Sequence, residues 1–173
     1  MAKKFNLREF QTDLSRQIQA AATRDNSASR LGFRAGDMNW LVPLGDTEEV
    51  IPVPLIVPVP GSRRWFRGVA NIRGNLFAVS DLSDFIGRGV TPEHAECRLV
   101  IPHHDFGVNA ALLVRGTLGL KSIGQFGVEA EQATHSWASR KYTDDAGTVW
   151  QELDFSLLLN DDVFRQVEAQ LNS

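Results

Sequence analysis

Cysteine is almost missing from this 173-residue chain, which has one, Cys97. A single thiol cannot close an internal disulfide. That excludes a small disulfide-stapled scaffold and fits a reducing compartment. An excess of one charge is also missing, with 18 Lys and Arg against 21 Asp and Glu and a formal charge of −3. That argues against a polyanion binder working by bulk charge. No long apolar run exists either. The richest stretch, residues 50–60, is too short to span a bilayer and holds four prolines. The basic start, with Lys3 and Lys4, has no apolar run behind it and so does not read as a secretory signal. These absences predict a cytoplasmic protein without direct membrane insertion. Hydrophobic residues make up 43% and charged residues 23%, which excludes wholesale disorder. The length suits about one domain, able to bury roughly two-thirds of its unfolded surface.

Residues 7–22 place Leu7, Phe10, Leu14, Ile18 and Ala21 on one helical face. Residues 23–29 are polar and read as a linker. The expected division is therefore an amphipathic helix and linker over 1–28, then one domain over 29–173. From Leu31 the texture changes to short apolar runs punctuated by glycine. They cover residues 32–34, 40–44, 49–53, 68–72, 76–80, 97–102, 108–115 and 119–123. Many short strands predict a mainly β barrel or sandwich and not a βαβ fold. Residues 76–79 are apolar on both faces, as a buried strand would be. Residues 81–86 read as one or two helical turns stopped by Gly87. The tail, 160–171, reads as a helix capped by Asn160 or Asp161, with Val163, Phe164, Val167 and Leu171 in a stripe. Residues 116–142 lack periodicity and predict a loop-rich segment with one strand.

Several constellations compete with bland readings. The prolines at 52, 54, 58 and 60 could serve a proline-reading domain, but the apolar residues between them suit an edge strand better. His94, Cys97, His103, His104 and Asp105 include metal-ligand types. Adjacent histidines on a strand would face opposite ways, and Pro102 suggests a turn with solvated rings. No metal is expected on this reading. Arg98 beside Cys97 could activate a thiol, yet a lone cysteine entering a strand is more often core. No nucleophile elbow, phosphate loop or carboxylate pair stands out. No catalytic residue and no cofactor is therefore expected.

The densest signal is Arg63-Arg64-Trp65-Phe66-Arg67-Gly68-Val69-Ala70-Asn71-Ile72-Arg73-Gly74. It holds four arginines and no acid in twelve residues. Arginine beside tryptophan marks interface hot spots and also single-strand nucleic-acid platforms. A solvated loop leading into a strand is the plain alternative. Asp46, Glu48 and Glu49 form an acidic cluster upstream, so separated patches would suit docking to charged proteins.

The run from Trp65 through Leu82 resembles the hallmark of CheW-like domains. There an aromatic precedes Arg/Lys-Gly-Val-x-Asn-Leu/Ile-Arg-Gly, an apolar strand and Asp-Leu. Residues 44–50, with Glu49, are similar to that family's Val-x-Glu-Ile strand, with Thr47 in place of the usual valine. Residues 153–160 are similar to its closing strand and Leu-Leu turn. Gly32-Phe33-Arg34, the leading helix and Trp65 resemble the branch of the family that serves type IV pili.

The resemblance implies two five-stranded, SH3-like barrels sharing an apolar core, flanked by N- and C-terminal helices. It implies a non-enzymatic adaptor in chemosensory signalling and twitching motility. The implied partners are the regulatory domain of a CheA-type histidine kinase and the cytoplasmic tip of a methyl-accepting chemoreceptor. No nucleic acid and no cofactor is implied. Partner-binding candidates are Arg73, Glu49, Asn71, Gly74, Arg67 and Trp65. Arg73 has a structural alternative, in which it pairs with Glu49 or another carboxylate to brace the two barrels. Asn71 and Gly74 have one too, as residues that hold the turn. Two other functions stay open on the residues alone. One is a flagellar or other chemosensory pathway; the other is a nucleic-acid-binding barrel using the Trp65/Arg patch.

Overall fold

A computed structural model describes residues 28–129 and 135–168. Two curled sheets of six strands each make up the body. The chain starts the first sheet with β1 (Ser29–Ala35) and β2 (Met38–Pro43), an antiparallel hairpin. It then leaves to build the whole second sheet. That sheet contains β3 (Thr47–Pro52), β4 (Ile56–Val57), β5 (Phe66–Ile72), β6 (Asn75–Asp81), β7 (Arg98–Pro102) and β8 (Ala110–Val114). Their order is β3-β7-β8-β6-β5-β4. The chain returns through β9 (Gly116–Ser122), β10 (Phe126–Glu129), β11 (Ala138–Asp144) and β12 (Val149–Leu153). β9 pairs with β1, and β12 lies parallel to β2. The first sheet is thus assembled from both ends of the domain. Short helices follow β6 and β12: α1 (Leu82–Phe85), then α2 (Phe155–Leu159) with α3 (Asp162–Arg165) directly after it. Asp81, Asp154 and Asp161 cap them by accepting backbone N–H bonds.

Apolar side chains separate into three clusters, which shows how two curled sheets can share a core. One lies inside the second sheet around Leu99, Val79 and Ile101. A small one lies inside the first sheet around Leu41, Tyr142 and Trp150. The largest joins the sheets, with Phe33 and Trp40 from one, Val100 and Leu112 from the other, and Phe155 and Phe164 from the helices. Trp40 stacks on Trp137 at 5.5 Å between ring centroids. A buried polar group also ties the first sheet together. Arg30 Nε on β1 donates to Glu152 Oε1 on β12 at 2.5 Å, and Tyr142 Oη donates to Glu152 Oε2 at 3.0 Å.

All eight expected strands are present. The proline-rich run forms the end of β3 and all of β4, the two edges of the second sheet, where missing N–H donors cost least. Four expectations need correction. Each sheet has six strands, not five. Residues 116–142 hold β9, β10 and the start of β11 in place of one strand. On β11 only Ala138 and Tyr142 are buried, too sparse a pattern for alternation to reveal. Leu76 is 63% exposed, because it sits at the tip of the β5–β6 hairpin, beyond the cover of its neighbours. The tail helix stops at Arg165; Arg63 N then donates to Val167 O, and Ser62 bridges Glu168. The expected N-terminal helix and linker fall outside the described residues.

The β11–β12 turn carries a pH-dependent clasp. Asp144 accepts from Trp150 Nε1 at 3.0 Å and from the N–H groups of Thr148 and Ala146 at 2.9 and 3.0 Å. These bonds, the indole first, hold its carboxyl below the usual 3.8. A depressed folded pKa contributes stability that is present above 3.8 and lost as pH falls through the lower folded value. Thermal unfolding should therefore separate the protein from Asp144→Asn at pH 6, and the gap should shrink below pH ~3.8.

Candidate functional site

The motif residues converge on the β5–β6 hairpin. Ile72 pairs with Asn75, leaving Arg73 and Gly74 as a two-residue turn. Their φ angles are 51° and 87°, the left-handed pair that a type I′ turn requires. Asn71 Oδ1 accepts from Gly74 N at 2.8 Å and fixes the turn. Arg73 is the one non-glycine residue with positive φ among the described residues. The left-handed conformation costs an L-residue roughly 1–2 kcal/mol, and asparagine or glycine would bear it more easily.

Arg73 Nη2 donates to Glu49 Oε2 at 2.7 Å. Glu49 lies on β3, separated from the hairpin in the sheet by β7 and β8. The bond therefore crosses the end of one curled sheet. The expected alternative, a brace between the two barrels, is corrected on this point, because both residues belong to the second sheet. The Arg73 side chain is 77% exposed, so the pair contributes about 0–1 kcal/mol.

Trp65 and Arg67 lie elsewhere. Trp65 is buried in the shared cluster, stacked on Phe164 at 5.6 Å and edge-on to Phe85 at 5.1 Å. It is a core side chain and offers no exposed face to a partner. Arg67 points inward, with Nη1 3.4 Å from the fully buried Asp81 and Nη2 3.6 Å from Glu93. Asp81 also accepts from Thr91 N and Thr91 Oγ1 at 2.8 and 2.7 Å. That arginine braces α1 and the loop after it. Of the six candidates, the hairpin brings Arg73, Asn71, Gly74 and Glu49 together and leaves these two out.

The arginine run is not a free basic patch. Arg64 grips Asp84 through Nε and Nη2 at 2.9 and 2.5 Å, and this bond holds its pKa above the usual value. Arg63 Nε donates to Gln166 O at 2.9 Å. With every arginine of the run partnered and Trp65 buried, no stacking platform faces solvent there. This arrangement counts against the nucleic-acid reading. Three of the four arginines pair with carboxylates, Arg64 with Asp84, Arg67 with Asp81 and Arg73 with Glu49, which reduces the charge separation expected from the sequence.

Sequence reasoning missed a second grouping beside Glu49. Pro102 ends β7, and the next residues form a 3₁₀ turn, His104–Phe106. The histidines do lie in a turn, as Pro102 suggested, but they are not simply solvated. Their rings approach to 4.1 Å and both face Glu48. His104 Nδ1 lies 2.7 Å from Glu48 Oε2, which pushes the imidazole pKa up and holds the carboxyl down. Cys97 is buried, its Sγ 3.2 Å from Pro92 O, as a small core residue would be.

Residues 30–163 match the CheW-like domain family. The chain belongs to that family. CheW-like domains are scaffolds and not enzymes. The chain is similar to Protein PilI of Pseudomonas aeruginosa, 35% identical over 95 residues, which is 55% of this chain and 53% of that protein. It thus spans about half the length of the curated relative it matches. Its fold is similar to the crystal structure of the scaffolding protein TtCheW from Thermoanaerobacter tengcongensis. The TM-score is 0.67 at 18% identity, covering 79% of this chain and 95% of that one. Among the described residues, no helix is long and apolar enough to cross a membrane.

Proposed function

We propose that this protein is a cytoplasmic chemosensory adaptor of a type IV pilus system. It couples the cytoplasmic tip of a methyl-accepting chemoreceptor to the regulatory domain of a CheA-type histidine kinase, and so controls twitching motility. The observation that carries this reading is Arg73. It occupies a left-handed turn position where arginine is unfavourable, and its exposed ion pair with Glu49 returns little stability. Strain without a folding benefit points to contact with another molecule. The similarity to PilI supports the pilus output.

The mechanism is geometric. Two sheets around a common core form a rigid spacer that fixes the distance and orientation of receptor and kinase. Each contact can be weak where repeated assembly multiplies it. Arg73, Asn71, Gly74 and Glu49 form the receptor-facing surface in this reading.

Arg73→Asn separates function from fold. Asparagine suits the turn, so stability should be unchanged or higher by about 0.5–1 kcal/mol. Receptor-dependent control of the kinase and twitching should be lost. Intact coupling in this variant, measured with purified receptor fragment and kinase, would sink the proposal. Loss of swimming in place of twitching would redirect it to a flagellar pathway.

A further inference from the structure

We propose that Glu48, His103 and His104 form a surface site for a borderline divalent ion of the Zn²⁺ class. The inference goes beyond adaptor activity and does not depend on it. It begins with an irregularity in β3. Thr47 pairs with Pro102 and Glu49 with Ile101, so Glu48 is an extra residue with no partner across the ladder. A bulge of this kind re-aims a side chain. Here it turns the Glu48 carboxylate toward the turn that follows β7.

The two ring nitrogens nearest Glu48 Oε2 are His104 Nδ1 at 2.7 Å and His103 Nε2 at 3.7 Å. Donors on a tetrahedral zinc, with bonds of about 2.0–2.2 Å, lie about 3.3–3.6 Å apart. The observed separations bracket that range, and one donor atom from each of the three residues falls within a 4.8 Å span. Small side-chain rotations would complete the shell. Two imidazoles and one carboxylate are a ligand set for zinc and its transition-metal neighbours, and a poor one for Mg²⁺ or Ca²⁺.

Outer contacts already orient the rings. Asp105 Oδ2 lies 3.3 Å from His103 Nδ1, and its Oδ1 lies 3.5 Å from His104 Nε2, so both nitrogens facing away from Glu48 see a carboxylate. A carboxylate behind each histidine can accept from the proton-bearing nitrogen once a metal occupies the other. Asp105 N donates to His103 Nδ1 at 3.3 Å; an ion on Nε2 puts a proton on Nδ1, so that bond gives way to one from Nδ1 to the Asp105 carboxylate. The backbone is held independently. His103 N donates to Asp46 O at 2.8 Å, His104 N to Glu48 Oε2 at 3.2 Å, and Gly107 N to His104 O at 2.9 Å. Little order remains to be gained on binding. Both histidines and Glu48 keep enough exposure for an ion to enter from solvent. A fourth position stays open for water or for a side chain of another molecule.

The test uses the full, tag-free chain and ZnCl₂, titrated at pH 7 against a chromogenic zinc indicator in the presence of excess Mg²⁺. One equivalent should bind. His103→Ala/His104→Ala should remove that equivalent, Glu48→Gln should weaken it, and Asp105→Asn should weaken it by about tenfold. Histidine proton resonances should move for His103 and His104 and stay in place for His94 and His135. The proposal is overturned if no equivalent binds, if the double variant binds as well as the parent, or if the shifts fall on His94 or His135. These are surface substitutions, and matching thermal unfolding curves would show that the variants remain folded.

Discussion

Glu152→Ala is expected to destabilise the protein by about 3–5 kcal/mol, because it removes one member of a largely buried ion pair. Arg30 and Glu152 keep only 13% and 8% of their side-chain surface exposed. Their bond links β1 to β12 over the intervening β2, so it joins the first strand of the domain to the last. Tyr142 Oη and Ser139 Oγ lie 3.0 and 3.3 Å from Glu152 Oε2, and both would lose that acceptor. Double replacement by Met at 30 and 152 should recover most of the loss, since it removes both buried charges together. Urea unfolding of the parent and the two variants measures this directly. A second readout comes from Asp46. Burial foremost, then Asp154, raises its pKa, and the Glu152 charge adds to the rise while Arg30 opposes it. Removing Glu152 should move the Asp46 titration downward. A single-variant loss below about 1 kcal/mol would mean that water or another carboxylate already compensates Arg30.

The parts of this fold that were legible in sequence are those with local causes. Short apolar runs bounded by glycine marked eight strands, because alternation and turn chemistry act over a few residues. The motif marked the Arg73 hairpin for the same reason, since Asn71, Arg73 and Gly74 all serve one turn. What stayed hidden depended on distant partners. The Arg64 and Arg67 bonds to Asp84 and Asp81 span 20 and 14 residues, so a run of arginines looked like a patch while it was being neutralised. Trp65 carried the composition of a hot spot, but composition does not tell inside from outside; only Phe85 and Phe164 do. The Glu48–His104 contact spans 56 residues and depends on a bulge, which alternation cannot reveal. β11 was hidden by its own polarity.

Gly68→Ala should be the most damaging small substitution in the motif. Gly68 has φ 126°, a backbone region in which L-residues are strained by about 1–3 kcal/mol. An added Cβ would also sit 2.0 Å from Val57 O and 2.8 Å from Pro58 Cα, both backbone atoms. Backbone cannot yield as a flexible side chain can. β4 must therefore separate from β5, breaking the Ile56–Ala70 and Val57–Val69 pairs and opening the edge of the second sheet. The combined loss is expected to reach at least about 3 kcal/mol in urea unfolding. Hydrogen exchange should speed up first in the β4–β5 pairs. Gly45→Ala is the matched control, since its Cβ would meet nothing within 4 Å and its backbone is not left-handed. It should be neutral to within about 0.5 kcal/mol. A Gly68→Ala loss no larger than that would show that β4 is free to shift and does not depend on glycine. The contrast with Arg73→Asn then divides the motif by physical role. Gly68 serves the fold, so its loss removes adaptor function through instability. In the proposed function Arg73 serves contact, so its loss should remove coupling from a chain that still folds.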